Sequence, residues 1–426
     1  MITAKAFAGK HYAVYGLARS GLATAQALLA SGARVTAWDA KEEARAKAPA
    51  RAEIANLDEI DLSQFDSLVV TPGLPLNRHP IAERAREAGV ELIGDIELFA
   101  RARPELAPHK VVGITGTNGK STTTALVHHI LKTAGVPTTM GGNIGLPILA
   151  QDPLPEGEVY VLELSSYQID LTQSLDCDVA VLLNITPDHL DRYDSFEAYA
   201  ASKARLFEMQ TEHHHAIVDY VAAMDEGVTD NVEVELWQQF IDQVETGDQS
   251  SWPTLQGPHN LQNAQAATAA CRALGLSDEQ IDFGLRSYPG LPHRMERVRE
   301  KDDVLFVNDS KATNPTATAP ALAAFDRIRW ICGGQPKSDN LDECAPQFGN
   351  VRSAYAIGEA AELFEKLLSP HMPVKNCGKL EIAVREAARD SQPGDTVLLS
   401  PACASFDQFR DFEDRGDQFR ELVRGL

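Results

Sequence analysis

Ten short apolar runs rich in β-branched residues recur along the chain, each followed by a stretch with helical character. They are HYAVYGL (11–17), RVTAWD (34–39), SLVVTPG (67–73), VVGITG (111–116), VYVLELSS (159–166), VAVLLNITPD (179–188), VLFVND (304–309), RIRWICGG (327–334), AYAIG (354–358) and TVLLSPA (396–402). Strands that alternate with helices imply βαβ units, and runs apolar throughout imply strands buried on both faces. The expected class is α/β, with mainly parallel sheets covered by helices on both sides.

The chain has 426 residues, more than one domain of ordinary size. Glycine-marked strand-to-helix turns near Gly16 and Gly116 open two nucleotide-binding-type units, and a third α/β unit begins near residue 300. The segments ARARPELAPHK (100–110) and SYPGLPHR (287–294) are the most linker-like, which places boundaries near 100 and 290.

Lys and Arg total 39 against 61 Asp and Glu, a net charge of −22, so nucleic acid and anionic membrane surfaces are excluded as partners. Half of that charge, −11, lies between Leu206 and Cys271, where there is no Lys or Arg. Such a block reads as a solvated surface or loop. The six cysteines form no CxxC pair, which points to a reducing compartment rather than a disulfide framework or zinc ribbon. With no apolar run of membrane-spanning length and no signal-peptide core before the first strand, a cytoplasmic protein without membrane insertion is expected.

The strongest motif is VVGITGTNGKSTTTALVHHIL (111–131), a strand running into a glycine-rich turn and then a helix. Backbone amides of Gly116, Thr117, Asn118 and Gly119 can wrap phosphate oxygens, Lys120 supplies charge, and the Ser121 or Thr122 hydroxyl can hold Mg²⁺. The strict P-loop spacing wants a glycine at position 114, which is Ile114, so this is a variant loop.

The turn Gly16-Leu17-Ala18-Arg19-Ser20-Gly21 resembles a dinucleotide fingerprint with Ala18 in place of the middle glycine, and Asp39 ends the next strand. On these residues alone it could hold NAD, hold another nucleotide, or pack a helix.

Glu163, at a strand's C-terminal end, can complete a Mg²⁺ shell or be a surface carboxylate. His189, in NITPDHLDRY, follows the next strand and can equally belong to a loop capped by Asp188 and Asp191. Chemistry alone makes Lys203 a solvated helix lysine. His213, His214 and His215, taken as consecutive residues of a helix, would point in different directions and share no ion. In the third unit, NDSKATN (308–314), GGQPK (333–337) and LSPACASFDQFRDF (399–412) are polar clusters at strand ends, suited to an anionic substrate in one cleft.

Together these stretches resemble the Mur ligase family of ATP-dependent, amide-forming enzymes. GITGTNGKSTT, GGNIG (141–145), LELSSYQ, NITPDHLDRY, YAASKARLF, GPHNLQNAQAA (257–267) and LPHRME (291–296) occur in the family's order over nearly the full length. NDSKATN and LSPACASFDQF look like the branch that adds D-glutamate. Against the family pattern, 206–256 reads as short and poorly patterned for strands.

The resemblance implies three domains: a Rossmann-like UDP-binding domain over 1–99, a central P-loop-type ATP-binding domain over 100–290, and a Rossmann-like amino-acid-binding domain over 291–426. It implies a monomer whose substrates are ATP, D-glutamate and UDP-N-acetylmuramoyl-L-alanine. Leu17, Ala18, Arg19, Ser20, Asp39, Thr71 and Gly73 would surround UDP, with Asn143 and His189 nearer the peptide end. The loop 116–122, Asn260, Asn263, Arg294 and Asp309 would approach ATP. Lys311, Thr313, Lys337, Ser405 and Phe412 would meet the phosphate or D-glutamate.

Two Mg²⁺ ions are implied, one on Ser121 or Thr122 with Glu163 and a second supported by His189. Lys203 matches the family lysine that carries a carbamate, a reversal of its reading from chemistry alone. Lys120, Glu163, His189, Lys203, Arg294 and Lys311 are the implied catalytic set. The rivals are another member of the family, including a folylpolyglutamate synthase-like ligase, and an NAD-binding or nucleotide-regulated protein without catalysis, and the second leaves Glu163, His189 and Lys203 unexplained.

Overall fold

Each of the ten expected runs forms a strand, and the strands assemble into three sheets. The computed structural model describes residues 1–188, 192–224, 232 and 234–426. The first sheet contains β1 (His11–Tyr15), β2 (Arg34–Trp38), β3 (Glu53–Ile54), β4 (Ser67–Val70) and β5 (Glu91–Ile93), in the order β3-β2-β1-β4-β5, all parallel. The second contains β6 (His109–Thr115), β7 (Thr138–Gly142), β8 (Glu158–Glu163), β9 (Val179–Leu182), β10 (His215–Val218) and β11 (Trp237–Phe240). Its order is β11-β10-β9-β6-β8-β7, again all parallel.

The third sheet contains β12 (Glu296–Lys301), β13 (Val304–Asn308), β14 (Ile328–Gly333), β15 (Val351–Ile357), β16 (Val374–Gly378) and β17 (Thr396–Leu399), in the order β12-β13-β17-β14-β15-β16. Only β12, at its edge, is antiparallel. By contacts the chain forms two compact units, Met1–Trp252 with Pro258–Tyr288, and Pro253–Gly257 with Pro289–Leu426.

Burial explains why these strands form where they do. All residues of β1, β4, β8, β9 and β17 are buried, as required when helices cover both faces. In the first unit one apolar core runs through both sheets, joining Tyr12, Val14 and Leu28 to Phe99, Val111 and Tyr160. Phe99 and Tyr160 meet with ring centroids 5.0 Å apart. In an open parallel sheet, ligands sit beyond the strands' C-terminal ends where the strand order reverses. Here those points are the loops after β1 and β4, after β6 and β9, and after β13, β14 and β17.

Two expectations need correction. The acidic stretch keeps strands: β10 pairs with β9, and β11 continues the sheet with His215 opposite Trp237. Strand β11 is an edge strand with Trp237, Gln238 and Gln239 exposed, so its sequence lacks the apolar run of a buried strand. The three histidines are not helical, since His213 has φ 65° and precedes a strand that begins at His215. His214 lies 2.9 Å from Asp176. All six cysteines are buried and free. Among the described residues, no helix is long and apolar enough to cross a membrane.

Candidate active site

The loop after β6 is built to hold its amides open. Gly119 caps the helix Lys120–Thr133 at φ 85°, and a side chain there would place its Cβ 2.3 Å from Asn263 Oδ1. Only glycine meets both conditions. The neighbouring loop after β9 braces the turn: the Asn118 amide donates to Asn184 Oδ1 (2.9 Å), and the Thr186 amide donates to Thr117 Oγ1 (3.0 Å). From the other side, Thr123 donates to Asn263 Oδ1 (3.2 Å), and Asn263 donates to Asn260 (3.2 Å). Gly116 to Thr122, Asn260 and Asn263 are thus brought together at one sheet edge.

Two ammonium groups converge on this loop. Lys120 Nζ donates to the carbonyls of Gly116 (2.8 Å) and Thr117 (2.9 Å), and Lys203 Nζ donates to the same Gly116 carbonyl at 3.0 Å. Lys203 is only 1 % exposed, which corrects its reading as a solvated lysine. Its Nζ lies 4.7 Å from the centre of the Tyr199 ring. Burial, and then repulsion from Lys120, bring the Lys203 amine down to about 7. An uncharged amine is thereby accessible near neutral pH.

Glu163 ends β8, the strand beside β6, with Ile114 opposite it. It is 1 % exposed, accepts from Asn143 Nδ2 at 2.8 Å through Oε1, and leaves Oε2 buried without a protein partner. A buried carboxylate oxygen facing nothing is costly unless a cation or donor meets it. The donor set of Glu163 with the Ser121 and Thr122 hydroxyls is all oxygen, which fits Mg²⁺. His189 lies outside the described residues.

At the first sheet's reversal point, Gly16 has φ 95°, and a Cβ there would lie 2.3 Å from Thr71 Oγ1, so the loops after β1 and β4 are pressed together. Ala18 has an ordinary extended conformation (φ −73°, ψ −170°), which explains why no glycine is needed there. Asp39 accepts from the amides of Leu17 (2.7 Å) and Lys41 (2.9 Å). Arg19 reaches the Gly145 carbonyl at 2.8 Å, linking this turn to the GGNIG loop. Leu17, Ala18, Arg19, Ser20, Asp39, Thr71 and Gly73 share this edge, and Asn143 stands beside Glu163.

In the second unit, Asp309 follows β13 and accepts from Ser400 Oγ (2.8 Å) and the Met295 amide (3.2 Å). Burial pushes its carboxyl up to about 7. Arg294 is exposed in the turn before β12. Lys311 Nζ lies 3.8 Å from the centre of the Phe412 ring, and Lys337 lies 3.5 Å from Thr313 Oγ1. Ser405, 2 % exposed, follows Ala404, which pairs with Gln335. The loops after β13, β14 and β17 therefore bring Lys311, Thr313, Lys337, Ser405 and Phe412 to one edge of the third sheet.

Three family models match the chain in order: "Mur ligase MurD-like, N-terminal domain" over 10–94, "Mur ligase middle domain" over 114–271, and "Mur ligase, glutamate ligase domain" over 293–403. A relative from Novosphingobium aromaticivorans, called UDP-N-acetylmuramoylalanine--D-glutamate ligase, is 60% identical across 100% of this chain and 97% of its own length. The chain belongs to the Mur ligase family. A second relative of this Mur ligase, from Zymomonas mobilis and called by the same name, is 53% identical over all of both chains. The crystal structure of UDP-N-acetylmuramate-alanine ligase from Thermotoga maritima, only 17% identical, matches the fold with a TM-score of 0.59 over 98% of this chain and 99% of that one.

This Mur ligase also contains positioning residues that the motifs did not single out. Asn184 braces the phosphate-type loop, and Tyr199 contacts both Thr117 (3.0 Å) and Lys203. Arg415 is fully buried and donates to Ser310 Oγ (2.9 Å), the Ser310 carbonyl (2.8 Å) and the Cys403 carbonyl (3.1 Å). It ties the NDSKATN loop to the turn that carries Ser405. Its sequence surroundings, FEDRGDQF, look like a solvated helix face.

Proposed function

We propose that this chain joins D-glutamate to UDP-N-acetylmuramoyl-L-alanine at the expense of ATP, in cytoplasmic synthesis of peptidoglycan precursors. The observation that carries the reading is the convergence of Lys120 and Lys203 on the Gly116 carbonyl, beside a strand that ends in the buried Glu163. The full-length relatives named for this reaction support the choice of substrates.

A carboxylate is a poor acyl donor, so activation must precede amide formation. In the proposed reaction a terminal carboxylate oxygen of the UDP-substrate attacks the γ-phosphorus and ADP leaves. The uncharged amine of D-glutamate then attacks the acyl carbon, giving a tetrahedral intermediate. Its collapse breaks the carbon–oxygen bond, releases phosphate and, after loss of the amine proton, leaves the amide.

The loop amides and Lys120 hold the phosphates, with Asn260, Asn263, Arg294 and Asp309 assigned to ATP. Leu17 to Ser20, Asp39, Thr71, Gly73, Asn143 and His189 are assigned to the UDP-substrate. Lys311, Thr313, Lys337, Ser405 and Phe412 are assigned to D-glutamate. Ser121, Thr122 and Glu163 would hold one Mg²⁺, and His189 with a carbamylated Lys203 a second; such ions draw charge from phosphate oxygens. The assigned domains span 1–99, 100–290 and 291–426, and the chain acts as a monomer.

Oxygen labelling tests the activation step. With ¹⁸O in the terminal carboxylate of UDP-N-acetylmuramoyl-L-alanine, one labelled oxygen is expected in each phosphate released. Unlabelled phosphate would reject the acyl-phosphate route.

A further inference from the structure

We propose that Arg192 is a positioning residue for the UDP-substrate, fixing the backbone of the turn that carries Thr71 and Gly73; this rests on the reading above. Arg192 follows β9 in sequence, in the segment that leads to the helix Phe196–Glu208, yet its guanidinium reaches the loop after β4. Nη2 donates to the Leu74 carbonyl at 2.8 Å, with longer approaches to the carbonyls of Pro72 (3.4 Å) and Gly73 (3.5 Å). Its carbon Cζ lies 4.1 Å from the centre of the Tyr167 ring. Tyr167 belongs to the short helix Ser166–Asp170, which follows Glu163 closely.

One side chain therefore connects three segments: the turn at 71–74, the helix beyond Glu163, and the chain beyond β9. A guanidinium is suited to this because its planar fork reaches adjacent carbonyls while its face stacks on a ring, and an ammonium cannot do both equally. The guanidinium is committed to carbonyls and a ring, so its effect on a ligand passes through the backbone of 71–74. Thr71 is itself pressed against Gly16, so movement of this turn is transmitted to the loop after β1.

The test is calorimetric binding of UDP-N-acetylmuramoyl-L-alanine, with steady-state kinetics, for the wild-type chain, Arg192→Ala and Arg192→Lys. Arg192→Ala is expected to raise Kd and KM for the UDP-substrate about tenfold, the size of one lost charge-assisted hydrogen bond. Its KM for ATP and its kcat at saturation should stay near wild type, and Arg192→Lys should fall between the two. Unchanged UDP-substrate affinity in Arg192→Ala, or a fall in kcat alone, overturns the inference. Equal loss of ATP affinity or of thermal stability in both variants also overturns it, since the effect would then be general. Failure of the wild-type chain to bind the UDP-substrate would reject the functional reading instead.

Discussion

Replacing Lys120 by alanine is expected to lower kcat/KM by roughly 10³-fold or more, the scale seen when a cation is removed from a phosphoryl-transfer site. The same variant should bind UDP-N-acetylmuramoyl-L-alanine almost as well as the wild-type chain. The division follows from the sheets: Lys120 begins the helix after β6, whereas Leu17, Asp39, Thr71 and Gly73 surround the reversal point of the first sheet. Kinetics with ATP and calorimetry with the UDP-substrate separate the two effects. An equal loss of UDP-substrate affinity would contradict the assignment of the two nucleotides to different sheets.

Lys203→Ala should be nearly as damaging, for a different reason. Lys203 is buried against the Gly116 carbonyl with a second ammonium on the same oxygen, a poor place for a permanent positive charge. Carbamylation would remove that conflict: the uncharged amine would add to CO₂, lose a proton and become an anion. With the amine brought down to about 7, the uncharged form gains as pH rises through neutrality. At fixed dissolved CO₂, activity should therefore climb from pH 6 to pH 8. Carbon dioxide-free buffer should depress the wild-type rate and bicarbonate should restore it, whereas Lys203→Ala should respond to a small carboxylate such as acetate and not to bicarbonate. Full activity of Lys203→Ala in the absence of added carboxylate would exclude the carbamate.

Lys203 also shows how far the residues alone could be read. As a single lysine on a helix it looks solvated, yet Tyr199, Lys203 and Phe207 recur every four residues and all three are buried. A charged member on an otherwise apolar face hides the helical period that marks a buried face. Arg415 is the same case, on the buried side of its helix with Gly416, Phe419 and Val423.

The strands divide along similar lines. Those buried on both faces, such as β1, β8 and β9, stand out as apolar runs. Strand β3, with two exposed residues, and β11, exposed over most of its length, do not. The glycine turns were readable because their spacing encodes backbone geometry. What the spacing could not show was which side chains brace them: Asn184 meets Asn118 through the order of β6 and β9, and Asn263 meets Gly119 through the packing of the helix Pro258–Ala273, both far away in sequence.

The specificity of this ligase rests on the identity of the amino acid joined. Phosphate release from ATP in the presence of UDP-N-acetylmuramoyl-L-alanine, measured with each of D-glutamate, L-glutamate, L-alanine, a diamino acid and a dipeptide, tests it most directly. Release is expected with D-glutamate and at background with the others. Release that is indifferent to D-glutamate, or that follows another amino acid, would contradict the account.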